Sequence, residues 1–218
     1  MKINSANIWN IENAFHYYAD PYRVHKIICH YEIFKKTSNV PGSIVECGVF
    51  KGNSLFRFLV FRNIISKSIK KHVYGFDVFG KFPSQSNIRD NNFAKLHNNK
   101  IGLGINFNKI KNNLKNKKFN NFTLIKGPVE KTLYKFLKKK KKFKISFLHL
   151  DLDVYKPTYD ALNALFDKVS KGGIILLDDY GKVQGATLAT HDYLKSKKIK
   201  QKIETLKFDK SLKFIIKK

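Results

Sequence analysis

Short apolar runs alternate with polar, helix-patterned stretches along most of this chain. Over residues 1–40, Phe15, Tyr18, Tyr22, Ile27, Ile28, Tyr31 and Phe34 recur at near-helical spacing, and Pro41-Gly42 closes the stretch, so it reads as mostly helical. A strand at 43–45 then runs into Glu46-Cys47-Gly48-Val49-Phe50-Lys51-Gly52-Asn53-Ser54 and a helix whose apolar positions include Leu55, Leu59 and Ile64. A second strand at 72–76 ends at Asp77, 31 residues after Glu46, the length of one βαβ repeat.

Residues 79–121 are polar, Asn-rich and poorly periodic, with one amphipathic segment expected near 105–114; a loop this long inside a compact domain is usually a functional lid or disordered. A third strand at 122–125 leads through Lys126-Gly127-Pro128-Val129-Glu130 into a Lys-rich helix. A fourth at 145–150 reaches Asp151, and 157–169 reads as a helix with Pro157 near its first turn, stopped by Gly172-Gly173. The fifth strand is 174–177, and 202–208 with 212–216 read as a hairpin around Asp209-Lys210-Ser211. Five βα repeats and a terminal antiparallel hairpin predict an α/β fold: 1–40 forms a helical cap and 41–218 the main domain, with an insertion at about 79–121.

With 218 residues the chain is long enough for one domain that buries roughly 70% of its unfolded surface. Cys29 and Cys47 lack metal-type spacing, which argues against a disulfide framework or a zinc site and fits a reducing compartment. No apolar run approaches a membrane span and Met1-Lys2-Ile3-Asn4-Ser5 has no signal-peptide core, so the expectation is a soluble, cytoplasmic protein without a membrane partner. The formal charge of +27 raises a nucleic-acid reading. Nearly all of it is Lys, however, in polar runs such as 138–142 that read as solvated faces of a compositionally biased chain.

The chemistry concentrates at strand ends. Phe147-Leu148-His149-Leu150-Asp151-Leu152-Asp153 is followed 27 positions after Asp151 by Asp178-Asp179-Tyr180. In an open parallel sheet ligands bind outside the carboxyl ends of the strands. Glu46-x-Gly48-x-x-x-Gly52 lets backbone approach a ligand and exposes N–H groups at a helix start. With Asp77 placed to grip a ribose diol, the pattern favours an adenosine-type ligand. Asp151, Asp178 and Asp179 would converge if the fourth and fifth strands pair, and oxygen-only ligands suit a hard cation, Mg²⁺ above all. Helix capping is the simpler role for Asp153 and Asp179.

Glu46-Cys47-Gly48-Val49-Phe50-Lys51-Gly52, Tyr74-Gly75-Phe76-Asp77-Val78-Phe79, Leu150-Asp151-Leu152-Asp153-Val154-Tyr155 and Asp178-Asp179-Tyr180-Gly181 together resemble the macrocin O-methyltransferase (TylF-like) family over roughly residues 30–195. The resemblance implies a Rossmann-like class I methyltransferase fold, a seven-stranded, mostly parallel sheet with an antiparallel C-terminal hairpin and helices on both faces. It also implies S-adenosyl-L-methionine, Mg²⁺ and methyl transfer to a hydroxyl of a sugar or glycosylated small molecule. By position, Glu46, Gly48, Gly52 and Ser54 would surround the methionine part, Asp77 the ribose, and Gly127 and Val129 the adenine, with Asp151 also at the cofactor. Asp151, Asp178 and Asp179 match the metal positions, and Asp151 is the expected ligand and general base of an in-line displacement. His149 and His191 are rival bases. Lys156-Pro157-Thr158, His191 and Gly80-Lys81-Phe82-Pro83 depart from the family pattern and bear on the acceptor rather than the cofactor.

Two other readings stand beside this one. An RNA methyltransferase would use the same cofactor and explain the charge, but Asp151-Leu152-Asp153-Val154 replaces the Asn/Asp-Pro-Pro-aromatic pattern typical of base-amino methylation, so nucleic acid is not the expected partner. A non-catalytic binding module of the same fold is the other. Homo-oligomerisation is left open by the aromatic residues of the first 40 positions.

Overall fold

The computed structural model describes residues 5–65 and 70–218; the first four residues of the expected N-terminal helical stretch lie outside them. Seven strands form one sheet: β1 (Ser43–Cys47), β2 (Val73–Asp77), β3 (Phe122–Lys126), β4 (Ile145–Leu150), β5 (Val169–Leu177), β6 (Ile203–Glu204) and β7 (Lys213–Ile216), in the order β3-β2-β1-β4-β5-β7-β6. The first five strands run parallel, while β7 is antiparallel to both β5 and β6. Strand order reverses between β1 and β4, where a doubly wound sheet opens a crevice.

All six residues of β4 are buried, as expected of a central parallel strand covered on both faces. Leu148 and Leu150 point into one core layer, with Val45, Leu133, Leu162 and Ile175, against α6 (Val129–Lys139), α7 (Tyr155–Leu165) and α8 (Gln184–Ser196). Phe147 points into the other, with Ile33, Phe34, Leu55 and Phe58, against α2 (Tyr22–Lys35) and α3 (Asn53–Ile64). Its ring meets Phe34 and Phe58 edge-on at centroid separations of 5.2 and 4.9 Å. Phe147→Ala is expected to cost about 3–5 kcal/mol, read as a lower urea midpoint at unchanged slope, and Phe147→Leu less than half of that. An unchanged midpoint for the alanine variant would show that this layer tolerates the void.

α1 (Ser5–Tyr18) precedes these layers and leaves Trp9, Tyr17 and Tyr18 exposed. α2 is tied to the connection between β6 and β7. Asp209 Oδ2 lies 2.7 Å from His25 Nε2, and its Oδ1 accepts from Ser211 N, Ser211 Oγ and Leu212 N. Cys29 and Cys47 are buried free thiols. Among the described residues no helix is long and apolar enough to cross a membrane.

Three local differences from the sequence expectation have physical causes. The segment 79–121 carries α5 (Phe107–Asn116), where an amphipathic helix is predicted, but also α4 (Ile88–Lys100), where none is. Only Asp90 and Ala94 of α4 are buried, and Asn87 caps it by accepting from Asp90 N, so apolar periodicity carries no trace of it. Gly172-Gly173 lies inside β5 rather than ending a helix. Lys217 N donates to Gly173 O and Gly172 N to Lys217 O, and a Cβ on Gly173 would meet Ser146 O at 2.9 Å. The hairpin's first strand shrinks to two residues.

Candidate functional site

A cleft of about 530 Å³ opens at the carboxyl ends of the parallel strands. The loop after β1, built on Gly48 and Gly52 at φ +91° and +87°, forms one wall. Asp77 at the end of β2 clamps it: Oδ2 accepts from Val49 N (2.8 Å) and Phe50 N (2.9 Å), and Oδ1 from Phe79 N (2.5 Å). A carboxylate has about four acceptor positions, so Asp77 keeps capacity for a ligand hydroxyl. Gly48 brings the loops after β1 and β4 into contact, since a Cβ there would lie 1.7 Å from Asp151 O. Phe50, Phe79 and Asp153 adopt left-handed φ of 50°, 53° and 62°. Such non-glycine strain collects at functional loops.

Of the residues singled out in the sequence, Gly48, Asp77, Gly127, Val129, Asp151 and Asp178 line the cleft. Gly52 instead caps α3 and makes room for Ile110 of α5, whose Cδ1 would be 2.7 Å from an added Cβ. Ser54 is half-buried in the first turn of α3, and Asp179 is buried behind the rim. Glu46 is fully buried beneath the loop rather than on its surface.

One oxygen from each of Asp151, Asp178 and Asp179 falls within 4.8 Å of the other two. β4 and β5 place them, with Leu150 and Leu177 as register partners one residue earlier. Burial lifts the Asp151 carboxyl well above the carboxylate range, and the adjacent Asp178 and Asp179 charges lift it further. Burial, then Asp153 and Asp178, pushes Asp179 up to about 8. Three oxygen donors this crowded, two of them resisting ionisation, fit a hard dication whose charge would relieve both.

A charged network lies under the trio on the α2 side of the sheet. Glu46 and His149 are cross-strand partners, with His149 Nδ1 3.0 Å from Glu46 Oε1 and Nε2 3.4 Å from Asp178 Oδ1. Asp178 also faces His30 Nε2 at 3.3 Å and accepts from Lys26 Nζ at 2.6 Å. Burial alone would depress His149, but the Asp178 and Glu46 carboxylates outweigh it and hold the imidazolium up to about 10. Burial wins for His30, which falls to about 4 and stays neutral. A neutral His30 donates from Nε2, and its Nδ1 has no partner among the described residues; neither has Glu46 Oε2. That buried, unpartnered carboxylate oxygen beside the glycine loop fits the cationic amine of an amino-acid-bearing cofactor.

The doubly held imidazolium makes a pH prediction. His149 binds its proton more tightly folded than at its ordinary value of 6.5, so its stabilisation is complete below pH 6.5 and is lost as pH rises toward about 10. Chemical unfolding at pH steps across that window is expected to show wild-type stability falling and a flatter His149→Gln profile. Parallel profiles would place the charge elsewhere. The rival base His191 is exposed on α8, its Nε2 hydrogen-bonded to the Tyr180 hydroxyl, and does not line the cleft.

Two other groups reach the cleft without a site role assigned to their side chains from the sequence patterns. Arg23 and Lys26 project from α2, whose legible signal was its apolar face; the i, i+4 spacing of Lys26 and His30 is the only trace of their joint approach to Asp178. Phe50, Phe82 and His97 form an aromatic wall, with His97 5.0 Å from Phe50 and 5.3 Å from Phe82 between ring centroids.

The family model described as Macrocin-O-methyltransferase (TylF) matches residues 27–212. A Streptomyces olivaceus protein, 8-demethyl-8-(2,3-dimethoxy-alpha-L-rhamnosyl)-tetracenomycin-C 4'-O-methyltransferase, is 29% identical over 161 residues, covering 71% of this chain and 58% of that protein. Demethyldecarbamoylnovobiocin O-methyltransferase of Streptomyces niveus is 27% identical over 150 residues, covering 66% and 54%. The chain thus spans little more than half the length of these relatives. Among solved structures, the calicheamicin methyltransferase CalS11 superposes with a TM-score of 0.79 at 19% identity, covering 99% of this chain and 86% of that one. The O-methyltransferase NovP gives 0.72 at 22%, covering 88% and 79%. Both share the seven-stranded Rossmann-like architecture, and with the family model matched along most of its length, this chain belongs to the macrocin O-methyltransferase (TylF) family.

Proposed function

We propose that the protein transfers a methyl group from S-adenosyl-L-methionine to a hydroxyl of a sugar or glycosylated small molecule, with a divalent cation, Mg²⁺ by its donor set, at Asp151, Asp178 and Asp179. The observation that carries this reading is the junction of the two half-sites: the glycine loop clamped by Asp77 and the carboxylate trio meet where Gly48 touches Asp151. By their descriptions, the first relative named above is a 4'-O-methyltransferase of a rhamnosyl-bearing tetracenomycin C and the second an O-methyltransferase of demethyldecarbamoylnovobiocin. The cofactor supplies an electrophilic methyl on a positively charged sulfur, and the cation supplies charge that favours an ionised acceptor hydroxyl.

The chain's own residues do the rest. Glu46 offers its unpartnered oxygen to the amine end of the cofactor, and Asp77 offers its spare acceptor capacity to the ribose. Asp151, half-buried and opening on the cleft, takes the hydroxyl proton at a carboxylate oxygen. Phe50, Phe82 and His97 give apolar contact area to an acceptor and exclude water from the path. Incubation with labelled S-adenosylmethionine and a panel of nucleotide sugars and glycosides, with and without EDTA, tests the reading. Methyl incorporation that EDTA abolishes and Mg²⁺ restores is expected. Incorporation into RNA, or none with S-adenosylhomocysteine failing to bind, would overturn it.

A further inference from the structure

Lys26 stands apart from the solvated lysines that dominate this chain's charge. Its side chain is only 15% exposed, it lines the cleft, and its Nζ donates to Asp178 Oδ2 at 2.6 Å. It reaches that carboxylate from the turn of α2 preceding His30, and Asp178 is one of the three clustered carboxylates. We propose that Lys26 is a built-in counter-cation that competes with the divalent ion for Asp178. Its ammonium neutralises the carboxylate in the metal-free protein, and metal uptake requires it to leave. This inference rests on the metal reading above.

Asp178 accepts on Oδ2 from Lys26 and lies within reach of His30 and His149 on Oδ1, so whatever acceptor capacity it keeps for a cation lies directly beside the Lys26 ammonium. A cation bound to this carboxylate would sit against an ammonium 2.6 Å from it, and like charges so close repel strongly. One partner must yield. His30 and His149 have fully buried side chains packed on Phe58 and cannot move without opening the core. Lys26 sits on a flexible four-carbon stem at the cleft wall, where Arg23 also projects, so it is the partner with open space to swing into. The role differs from that of a metal ligand, which loses its ion when removed. Removal of a competitor strengthens binding.

Isothermal titration of the full chain with MgCl₂ separates these cases, using wild type, Lys26→Met, Lys26→Gln and Lys26→Arg, with Asp178→Asn as the site control. Lys26→Met and Lys26→Gln are expected to bind Mg²⁺ roughly tenfold more tightly than wild type or more, and Lys26→Arg to stay near wild type. Uptake by the neutral variants but not by wild type would be the strongest support. Equal affinity in wild type and both neutral variants would overturn competition and leave the metal reading standing, as would weaker binding, which would make Lys26 a support of the site. If no variant and no wild-type protein takes up Mg²⁺, the metal reading fails and the competition with it.

Discussion

Asp151→Asn is expected to lower kcat by about 10³-fold or more while S-adenosylhomocysteine still binds nearly as in wild type. The argument is positional. Asp151 is the one residue that belongs to the carboxylate trio, lines the cleft and touches the glycine loop, its main-chain carbonyl lying against Gly48 and its N–H donating to Cys47 O. Asparagine preserves those main-chain contacts and the side chain's volume but cannot take a proton or offer two anionic oxygens. Cofactor binding, which draws on Glu46, Asp77 and the loop, is therefore expected to survive where turnover does not. Asp153→Asn is the comparison: that residue also lines the cleft, at φ 62°, a backbone conformation Asn tolerates, yet it lies outside the trio. It is expected to lose far less. Parallel kcat measurements and cofactor titrations decide the matter. Near-normal turnover in Asp151→Asn would remove it from the chemistry, and joint loss of turnover and cofactor binding would make it a structural support.

The parts of this molecule that read well in sequence are those where one physical signal dominates. The central strands are continuous apolar runs because both their faces are covered, and each ends in a residue, Glu46-Cys47-Gly48, Asp77 or Asp151, that the sheet then delivers to one edge. Convergence of Asp151 with Asp178 follows from β4 pairing with β5, and that pairing is present in register. What stayed hidden depends on polar contacts between distant segments. α4 is fixed by Asp90, whose Oδ2 accepts from Tyr155 N at the start of α7, a bond spanning 65 positions with no apolar periodicity to announce it. His149 lies in an apolar run as a lone polar residue. Only the registers that set it beside Glu46 of β1 and bring Asp178 to it from the end of β5 turn it into a bridge between two carboxylates, with His30 of α2, 119 positions away, packed against its ring. Lys26 was one lysine among many until that same helix placed it on Asp178.

The glycine loop yields the largest expected effect on the fold. Gly48→Ala should destabilise the protein by several kcal/mol and cost turnover beyond that loss, because the substitution carries two separate penalties. The first is conformational: φ is +91°, where a side chain costs of order 1–3 kcal/mol. The second is steric, as the new Cβ would fall 1.7 Å from Asp151 O and 2.6 Å from its carbonyl carbon, both backbone atoms with no rotamer to give way. Either the β1 loop lifts, weakening its two bonds to Asp77, or the chain at Asp151 shifts and takes the trio with it. Gly181→Ala isolates the first penalty, since Gly181 has φ +81° with open space around it. Gly80→Ala, in open space without a positive φ, carries neither and is expected to stay within about 0.5 kcal/mol of wild type. Urea midpoints for the three variants should therefore fall in the order Gly80→Ala, Gly181→Ala, Gly48→Ala. If Gly48→Ala matches Gly181→Ala in stability and keeps its activity, the contact between the two loops is not what holds Asp151 at the cleft.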